Sequence, residues 1–163
     1  SSCDPYPEYW AIPMIDIQKF EAECRRDIPL LTAMQLSVVE YRNLALTLEA
    51  PLAPNINNKG TAFGGSIASI GLFGGWAVAT LAFMDNGIDN TEIVVFRNEM
   101  TFERPAPGHL IVKVTIDPEE FSGCLAKLRG GSDERLRFNV NVDILHDDEH
   151  CATMTGLYVV WLK

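Results

Sequence analysis

The residues best suited to chemistry lie in one short stretch, NINNKGTAFGG, at residues 55–65. It ends in two adjacent glycines, Gly64 and Gly65, and a long apolar segment follows them. Backbone N–H groups at a helix start carry partial positive charge, and glycine lets another molecule approach them without an intervening side chain. If a helix begins here, its first N–H groups suit a reaction in which a negatively charged oxygen develops.

The polar loop before the glycines contains asparagines but no acidic residue and no histidine. A neutral amide such as Asn57 or Asn58 can hold a water molecule or a carbonyl oxygen, but it is not a base at pH 7. Asparagine also stabilises turns, because it tolerates a left-handed backbone and bonds its own loop. Both interpretations stay open. Thr61 is most simply the helix cap that accepts from the N–H of Gly64.

The apolar segment that follows must position these groups. No charged residue occurs from residue 61 to residue 84, and five glycines interrupt the run. A helix that is apolar on every side must be wrapped by protein or lie in a membrane. The segment therefore predicts a buried helix over residues 61–84, terminated by Asp85-Asn86-Gly87.

The rest of the chain supplies the wrapping. Prolines predict an extended lead-in over residues 1–14, and Asp16 caps a short helix over residues 17–26 that Pro29 ends. Apolar and polar residues then alternate with period 2 in six segments, the first two forming a hairpin. The segments are residues 34–39, 44–49, 93–103, 109–117, 135–145 and 150–162. Residues 118–128 hold either a turn of helix or a bulged connection.

One face of each predicted strand is apolar. In residues 93–103 the alternation places Val94, Phe96, Met100 and Phe102 on the inner face, and Asn98 shares their parity unless a bulge shifts the register. A six-stranded antiparallel sheet curled around the helix satisfies both needs, which predicts one α+β domain over residues 1–163. Membrane insertion is disfavoured, because the strands would lose the cover of their apolar face.

Composition excludes several partners. The formal net charge is -9 and the pI is about 4.7, so nucleic acid and anionic membrane are poor partners. The four cysteines are scattered, and no histidine lies at metal-ligand spacing, so we expect reduced thiols, no metal and a cytoplasmic location.

Residues 50–66, APLAPNINNKGTAFGGS, resemble the signature of the hotdog-fold thioesterases. In particular they resemble the thioesterase domain that some bacteria carry behind an acetyltransferase domain. Ile28-Pro29-Leu30, Ala33-Met34 and Gly75-Trp76 fit that domain too, and the resemblance runs from about residue 20 to the end.

The resemblance implies a hotdog fold, a homodimer or dimer of dimers joined edge to edge, and acyl thioesters of coenzyme A or acyl carrier protein as substrates. Coenzyme A or phosphopantetheine would enter only as part of the substrate, with no separate cofactor. The N–H groups of Gly64 and Gly65 would polarise the thioester carbonyl while Asn57 positions the attacking water. The expected catalytic residues are Asn57, Asn58, Gly64 and Gly65, and the expected substrate-binding residues are Gly60, Thr61, Phe63, Ser66 and Asn98.

The sequence also departs from that family pattern. Many related enzymes place a histidine in the loop or just before the glycines and an acid one to two turns into the helix; here Asn58, Phe63 and Leu72 stand there. The base comes from elsewhere, the water is only oriented, or activity is weak. Asn98 is a candidate to complete the site. The alternatives are a non-catalytic acyl-CoA or acyl-carrier-protein binding module, a 3-hydroxyacyl dehydratase, and a scaffold dimer.

Overall fold

The structure is a computed structural model, and it describes residues 15–163. The predicted lead-in over residues 1–14 lies outside the described residues. The helices are α1 (Ile17–Asp27), α2 (Pro29–Ala33), α3 (Gly64–Asp85) and α4 (Pro118–Arg129), with a short 3₁₀ helix at Ala53–Asn55. The strands are β1 (Ser37–Arg42), β2 (Ala45–Ala50), β3 (Thr91–Phe102), β4 (Leu110–Ile116), β5 (Leu136–His146) and β6 (Glu149–Leu162).

The six strands form one sheet in the order β1-β2-β4-β5-β6-β3, and every neighbouring pair is antiparallel. Alternate residues of β4 and β5 are buried, as their period of 2 predicts. The sheet packs around α3, which contacts strands β2, β3, β4, β5 and β6. The predicted α+β architecture, a six-stranded antiparallel sheet wrapped around a long central helix, is confirmed.

Helix α3 is long and apolar enough to pass for a membrane span, with a mean hydropathy of 1.8 in its most apolar window. At 22 residues it is about 33 Å long. However, 67% of that window is buried inside the protein. The sheet therefore supplies the wrapping that an all-apolar helix needs.

The N-terminal helices confirm one prediction and correct two. Asp16 caps α1 by accepting from the Lys19 N–H at 3.0 Å. Pro29 does not merely end α1; it starts α2, since proline is favoured in the first helical turn. The first strand begins at Ser37 rather than residue 34, because Gln35 has a φ of 53° that interrupts an extended chain.

Strand β3 corrects the predicted parity. Its register with β6 shifts between Val95 and Arg97, so Phe96 is the extra residue of a β-bulge. Before the bulge Ile93 is the buried residue, whereas Val94 is 43% and Phe96 52% exposed. Val94 and Phe96 were therefore predicted wrongly.

Beyond the bulge Met100 keeps its predicted place on the inner face, whereas Asn98 and Phe102 are exposed. Met100 lies opposite the buried Met154, and both side chains approach Gly71 of α3. Residues 118–128, left undecided by the sequence, form helix α4, which Asp117 caps by accepting from the Glu120 N–H at 2.9 Å.

Candidate functional site at the start of the central helix

The start of α3 leaves backbone donors free. Its cap residue is Phe63, whose side chain accepts no hydrogen bond. Among the described residues, nothing accepts a hydrogen bond from the N–H of Gly64, Gly65 or Ser66. The first turn of a helix leaves such donors without an intrahelical partner, and an acceptor must come from a side chain, water or a ligand.

The prediction that Thr61 caps this helix is wrong. The helix begins three residues later, and the Thr61 hydroxyl accepts from Asn57 Nδ2 at 3.0 Å. A hydrogen bond within the loop has taken the oxygen that would have served Gly64. The donors of the helix start remain open as a consequence.

Asn57 is the centre of that loop. Its Oδ1 accepts from the N–H of Lys59 at 2.8 Å and from the N–H of Thr61 at 3.1 Å. Its own N–H donates to the Thr61 carbonyl at 2.8 Å. An amide oxygen has two lone pairs, so both acceptor sites of Asn57 are occupied and one Nδ2 hydrogen is left. Asn57 can offer a donor to an incoming group but no acceptor.

Asn58 and Gly60 complete the loop. Asn58 is exposed, and its side chain bonds no other described residue, so it keeps a free donor and a free acceptor. Gly60 has a φ of 79°, which a residue with a side chain rarely adopts. Its N–H donates to the Asn57 carbonyl at 3.3 Å and closes the turn.

Asn55 is a buried residue that supports the loop, and its role was not predicted from the sequence. It is 1% exposed, and its Nδ2 donates to the carbonyls of Met34 at 2.9 Å and Pro51 at 2.8 Å. Its carbonyl accepts from the N–H of Phe63 at 2.7 Å. Asn55 thus joins the end of α2 to the residue that precedes α3. The two prolines that precede it, Pro51 and Pro54, were the available signal of a compact turn.

Two phenylalanine rings flank the glycine pair. A Cβ atom at Gly65 would lie 2.4 Å from Cε1 of Phe63, so that ring rests against the bare backbone. A Cβ atom at Gly64 would lie 3.5 Å from Cε1 of Phe102, an ordinary contact with strand β3. Phe63 and Phe102 are both 55% exposed. The glycines are therefore flanked by half-exposed aromatic rings and are not enclosed by the core.

A groove of about 340 Å³ opens beside the glycine pair. We call it the α2–α3 groove. Its α2 side is formed by Leu30, Ala33 and Met34, and its α3 side by Phe63, Gly65 and Ser66. Its volume falls within the range of small-molecule sites, roughly 300–1,000 Å³. Gly65 belongs both to this groove and to the row of free donors.

The position at which an acid was expected is occupied by packing. Leu72 is half-buried against the core, and its carbonyl accepts from the Tyr158 hydroxyl at 2.7 Å. Burial raises the pKa of Tyr158, so this hydroxyl stays protonated and donating. No carboxylate is available from this part of α3.

The histidines are engaged elsewhere. His109 lies 3.3 Å from a carboxylate oxygen of Glu49, and His146 Nδ1 lies 2.9 Å from the His109 carbonyl. His150 lies 3.8 Å from Asp143. The described residues contain no group of three or more potential metal ligands.

Asn98 is not brought to the helix start. It lies on β3, opposite Gly156 of β6. Together with Arg97, Glu99 and Asn139 it lines a separate pocket of about 160 Å³. Five cations are candidates to bind a coenzyme A phosphate. Arg104 and Lys127 pair with glutamates, and Arg129 donates to the Asn86 carbonyl. The other two stack on aromatic rings, Arg135 on Trp161 and Arg137 on Phe96.

Solved structures share this architecture. A putative thioesterase from Shewanella oneidensis superposes with a TM-score of 0.80 at 26% identity, over 90% of this chain and 97% of its own. A protein of unknown function from Chlorobaculum tepidum TLS gives 0.79 at 25% identity, over 90% and 94% of the two chains. A thioesterase from Haemophilus influenzae shares the fold at 12% identity, with a TM-score of 0.68 over 93% and 94%.

A six-stranded antiparallel sheet curled around one long helix, with a glycine pair at the helix start, defines a hotdog-fold protein of the thioesterase type. Within that class, the chain belongs to the family described as "Putative thioesterase (yiiD_Cterm)", whose model matches residues 17–162.

Proposed function

We propose that this protein hydrolyses acyl thioesters of coenzyme A or acyl carrier protein at the start of α3. The observation that carries the proposal is the set of backbone N–H groups at Gly64, Gly65 and Ser66 that no described residue uses. Water adds to the thioester carbonyl carbon, the carbonyl oxygen becomes an oxyanion, and the C–S bond then breaks to release a carboxylate and a thiol. Fixed N–H donors stabilise that oxyanion.

Each loop residue receives a role that its hydrogen bonds permit. Gly64 and Gly65 bind the oxyanion, and Ser66 lies next to them with its hydroxyl unused by any described residue. Asn57 holds the loop and offers its remaining Nδ2 hydrogen to the water or the carbonyl oxygen. Asn58 has the free acceptor that Asn57 lacks, so the water-positioning role expected of Asn57 is shared with Asn58.

The general base is not supplied by α3, because Leu72 packs where an acid was expected. This observation favours a second candidate function, a module that binds acyl thioesters without hydrolysing them. The two functions use the same helix start. They differ in whether the bound carbonyl is attacked by water.

We further propose that the active unit is a homodimer or a dimer of dimers, joined through strand β3. This strand lies at the edge of the sheet and exposes apolar side chains along its length: Val94, Val95, Phe96 and Phe102. A long, apolar edge strand left unpaired invites pairing with another chain. The buried Cys24, Cys124 and Cys151 are free thiols, which suits a reducing cytoplasm.

The test is free-thiol release from acetyl-, butyryl-, hexanoyl- and octanoyl-CoA, together with calorimetric binding of a thioether analogue that cannot be hydrolysed. Turnover with at least one thioester supports the hydrolase. Binding of the analogue without turnover of any thioester selects the binding module, and neither binding nor turnover contradicts both.

A further inference from the structure

We infer that the α2–α3 groove is the acyl-chain site of the proposed thioesterase, and that it takes an alkyl chain. This inference rests on the proposed function. It adds which surface holds the acyl group and which residues set the preferred chain length.

The wall of the groove on its α2 side is apolar. Its α2 side presents Leu30, Ala33 and Met34, and Pro54 of the 3₁₀ helix lies beside them. Leu30 is 53% exposed, so an apolar side chain faces solvent here although the core lies near. No charged side chain lines the groove. Alkyl surface gains from such a wall because both partners leave water.

The wall of the groove on its α3 side carries the polar side chains. Ser66 lines the groove, and its hydroxyl bonds no other described residue. Ser69 also lines it, but its hydroxyl already donates to the Gly65 carbonyl at 2.8 Å. The one hydroxyl with an unused hydrogen therefore lies at the α3 side. A ligand with a polar head and an apolar tail has only one favourable orientation, head towards Ser66 and tail towards α2.

The groove is continuous with the proposed oxyanion donors at the start of α3. Gly65 contributes backbone both to the groove wall and to the free N–H row. A carbonyl bound at Gly64 and Gly65 must place one of its two substituents near this groove. The acyl chain is the apolar substituent, whereas the pantetheine arm carries two amides, so the apolar wall selects the acyl chain.

The extent of the groove bears on the preferred length of the acyl chain. The groove has a volume of about 340 Å³ and is open to solvent, and Leu30 in its wall is 53% exposed. Each methylene that fits should raise kcat/KM about fourfold, which corresponds to about 0.8 kcal/mol per buried methylene. Methylenes beyond α2 remain in water and add little. We therefore expect kcat/KM to rise steeply over the shortest chains and then level off.

The experiment narrows the groove with Ala33→Phe and uses Ala53→Phe as the matched control. Both alanines are exposed and lie in short helices, but Ala53 does not line the groove. In Ala33→Phe we expect kcat/KM for hexanoyl-CoA to fall at least tenfold and that for acetyl-CoA to change less than twofold. Ala53→Phe should leave both substrates unchanged.

A second variant, Leu30→Ser, tests the same wall without adding bulk. We expect the fourfold gain per methylene to shrink while acetyl-CoA hydrolysis is retained, and circular dichroism checks folding in each variant. Equal losses for acetyl- and hexanoyl-CoA in Ala33→Phe, or no loss for either, would overturn the inference. So would a change of oligomeric state in Leu30→Ser, which would show that the groove is covered by a second copy of the chain. If the wild type hydrolyses no thioester, the proposed function fails first, and binding of the thioether analogues then tests the groove alone.

Discussion

Helix α3 carries two glycine pairs that look alike in sequence and lie in opposite surroundings. Gly64-Gly65 stands at the helix start, beside exposed phenylalanine rings and free N–H groups. Gly74-Gly75 is fully enclosed, and Cβ atoms there would lie 2.8 Å from Val114 Cγ2 and 2.3 Å from Tyr158 Oη. The first pair leaves backbone accessible to a ligand, whereas the second lets the sheet approach the helix. The same residue type leaves N–H donors open at the helix start and allows close packing in the middle of the helix.

The largest difference is expected when alanine replaces one glycine of each pair. Gly75→Ala forces the buried Tyr158 ring to move, and overpacking of this kind should lower the free energy of unfolding by at least about 2 kcal/mol. Gly65→Ala meets only the ring of Phe63, which is half exposed and can rotate, so we expect a change below about 0.5 kcal/mol. Urea denaturation of both variants measures the contrast, and equal destabilisation would remove the distinction between the pairs.

The hydroxyl of Tyr158 provides a second test of the packing around the enclosed pair, Gly74-Gly75. Tyr158→Phe removes the hydroxyl's hydrogen bond to the half-buried Leu72 carbonyl, which should cost about 1 kcal/mol of unfolding free energy. Tyr41→Phe is the control, because the Tyr41 hydroxyl is half-buried and its bond to the Leu44 N–H is long at 3.4 Å. Thermal melting of the two variants should show the larger loss at Tyr158; a larger loss at Tyr41 would contradict the account.

Changes in the loop before Gly64-Gly65 should affect activity more than stability, which is the reverse of what is expected at Gly74-Gly75. Asn57→Ala removes the bonds to Lys59 and Thr61, and displacement of the loop should lower kcat by about 10²-fold. Because the loop is on the surface, the unfolding free energy should fall by only about 1 kcal/mol. Asn58→Ala removes no bond between described residues and should leave stability unchanged. Identical rates for the wild type and Asn57→Ala would exclude Asn57 from the mechanism.

Cys24, the buried thiol of α1, gives a readout that involves neither glycine pair. Burial raises the pKa of Cys24 from 9.0 to about 12, so at pH 8 its alkylation should be roughly 10³-fold slower than that of a free cysteine. Above pH 9 the unfolded thiol loses its proton while the folded one keeps it, so this group makes stability fall as pH rises from 9 towards 12. Site-resolved mass spectrometry after iodoacetamide treatment measures the rate. Rapid labelling of Cys24 at pH 8 would show that this part of the core opens.

Much of the fold follows from periodicity, because an all-apolar helix and six half-apolar strands satisfy each other in few ways. The bulge at Phe96 did not follow, because Ile93 and Val95 are apolar on one parity and Val94 and Phe96 on the other. Either register therefore buries an apolar set, and the pairing with β6 decides.

The site was predictable only in part. The glycine pair and its donors follow from the run of residue types, but the late start of α3 depends on Thr61 bonding Asn57 rather than Gly64. Local propensity does not settle such a competition between acceptors. Asn55 was missed because its burial comes from contacts with Met34 and Phe63 that are distant in the pattern.

The central claim is that the N–H groups of Gly64-Gly65 bind the oxyanion. Gly64 is the first helical residue, where proline is favoured, and Phe63 has the extended backbone (ψ 131°) that precedes proline. Gly64→Pro therefore deletes one N–H with little disturbance of the helix, and Gly64→Ala keeps the N–H as the control. Comparing kcat of the two variants on the best acyl-CoA substrate, we expect Gly64→Pro to be about 10²–10³-fold slower than Gly64→Ala. Equal rates in two folded variants would contradict the claim.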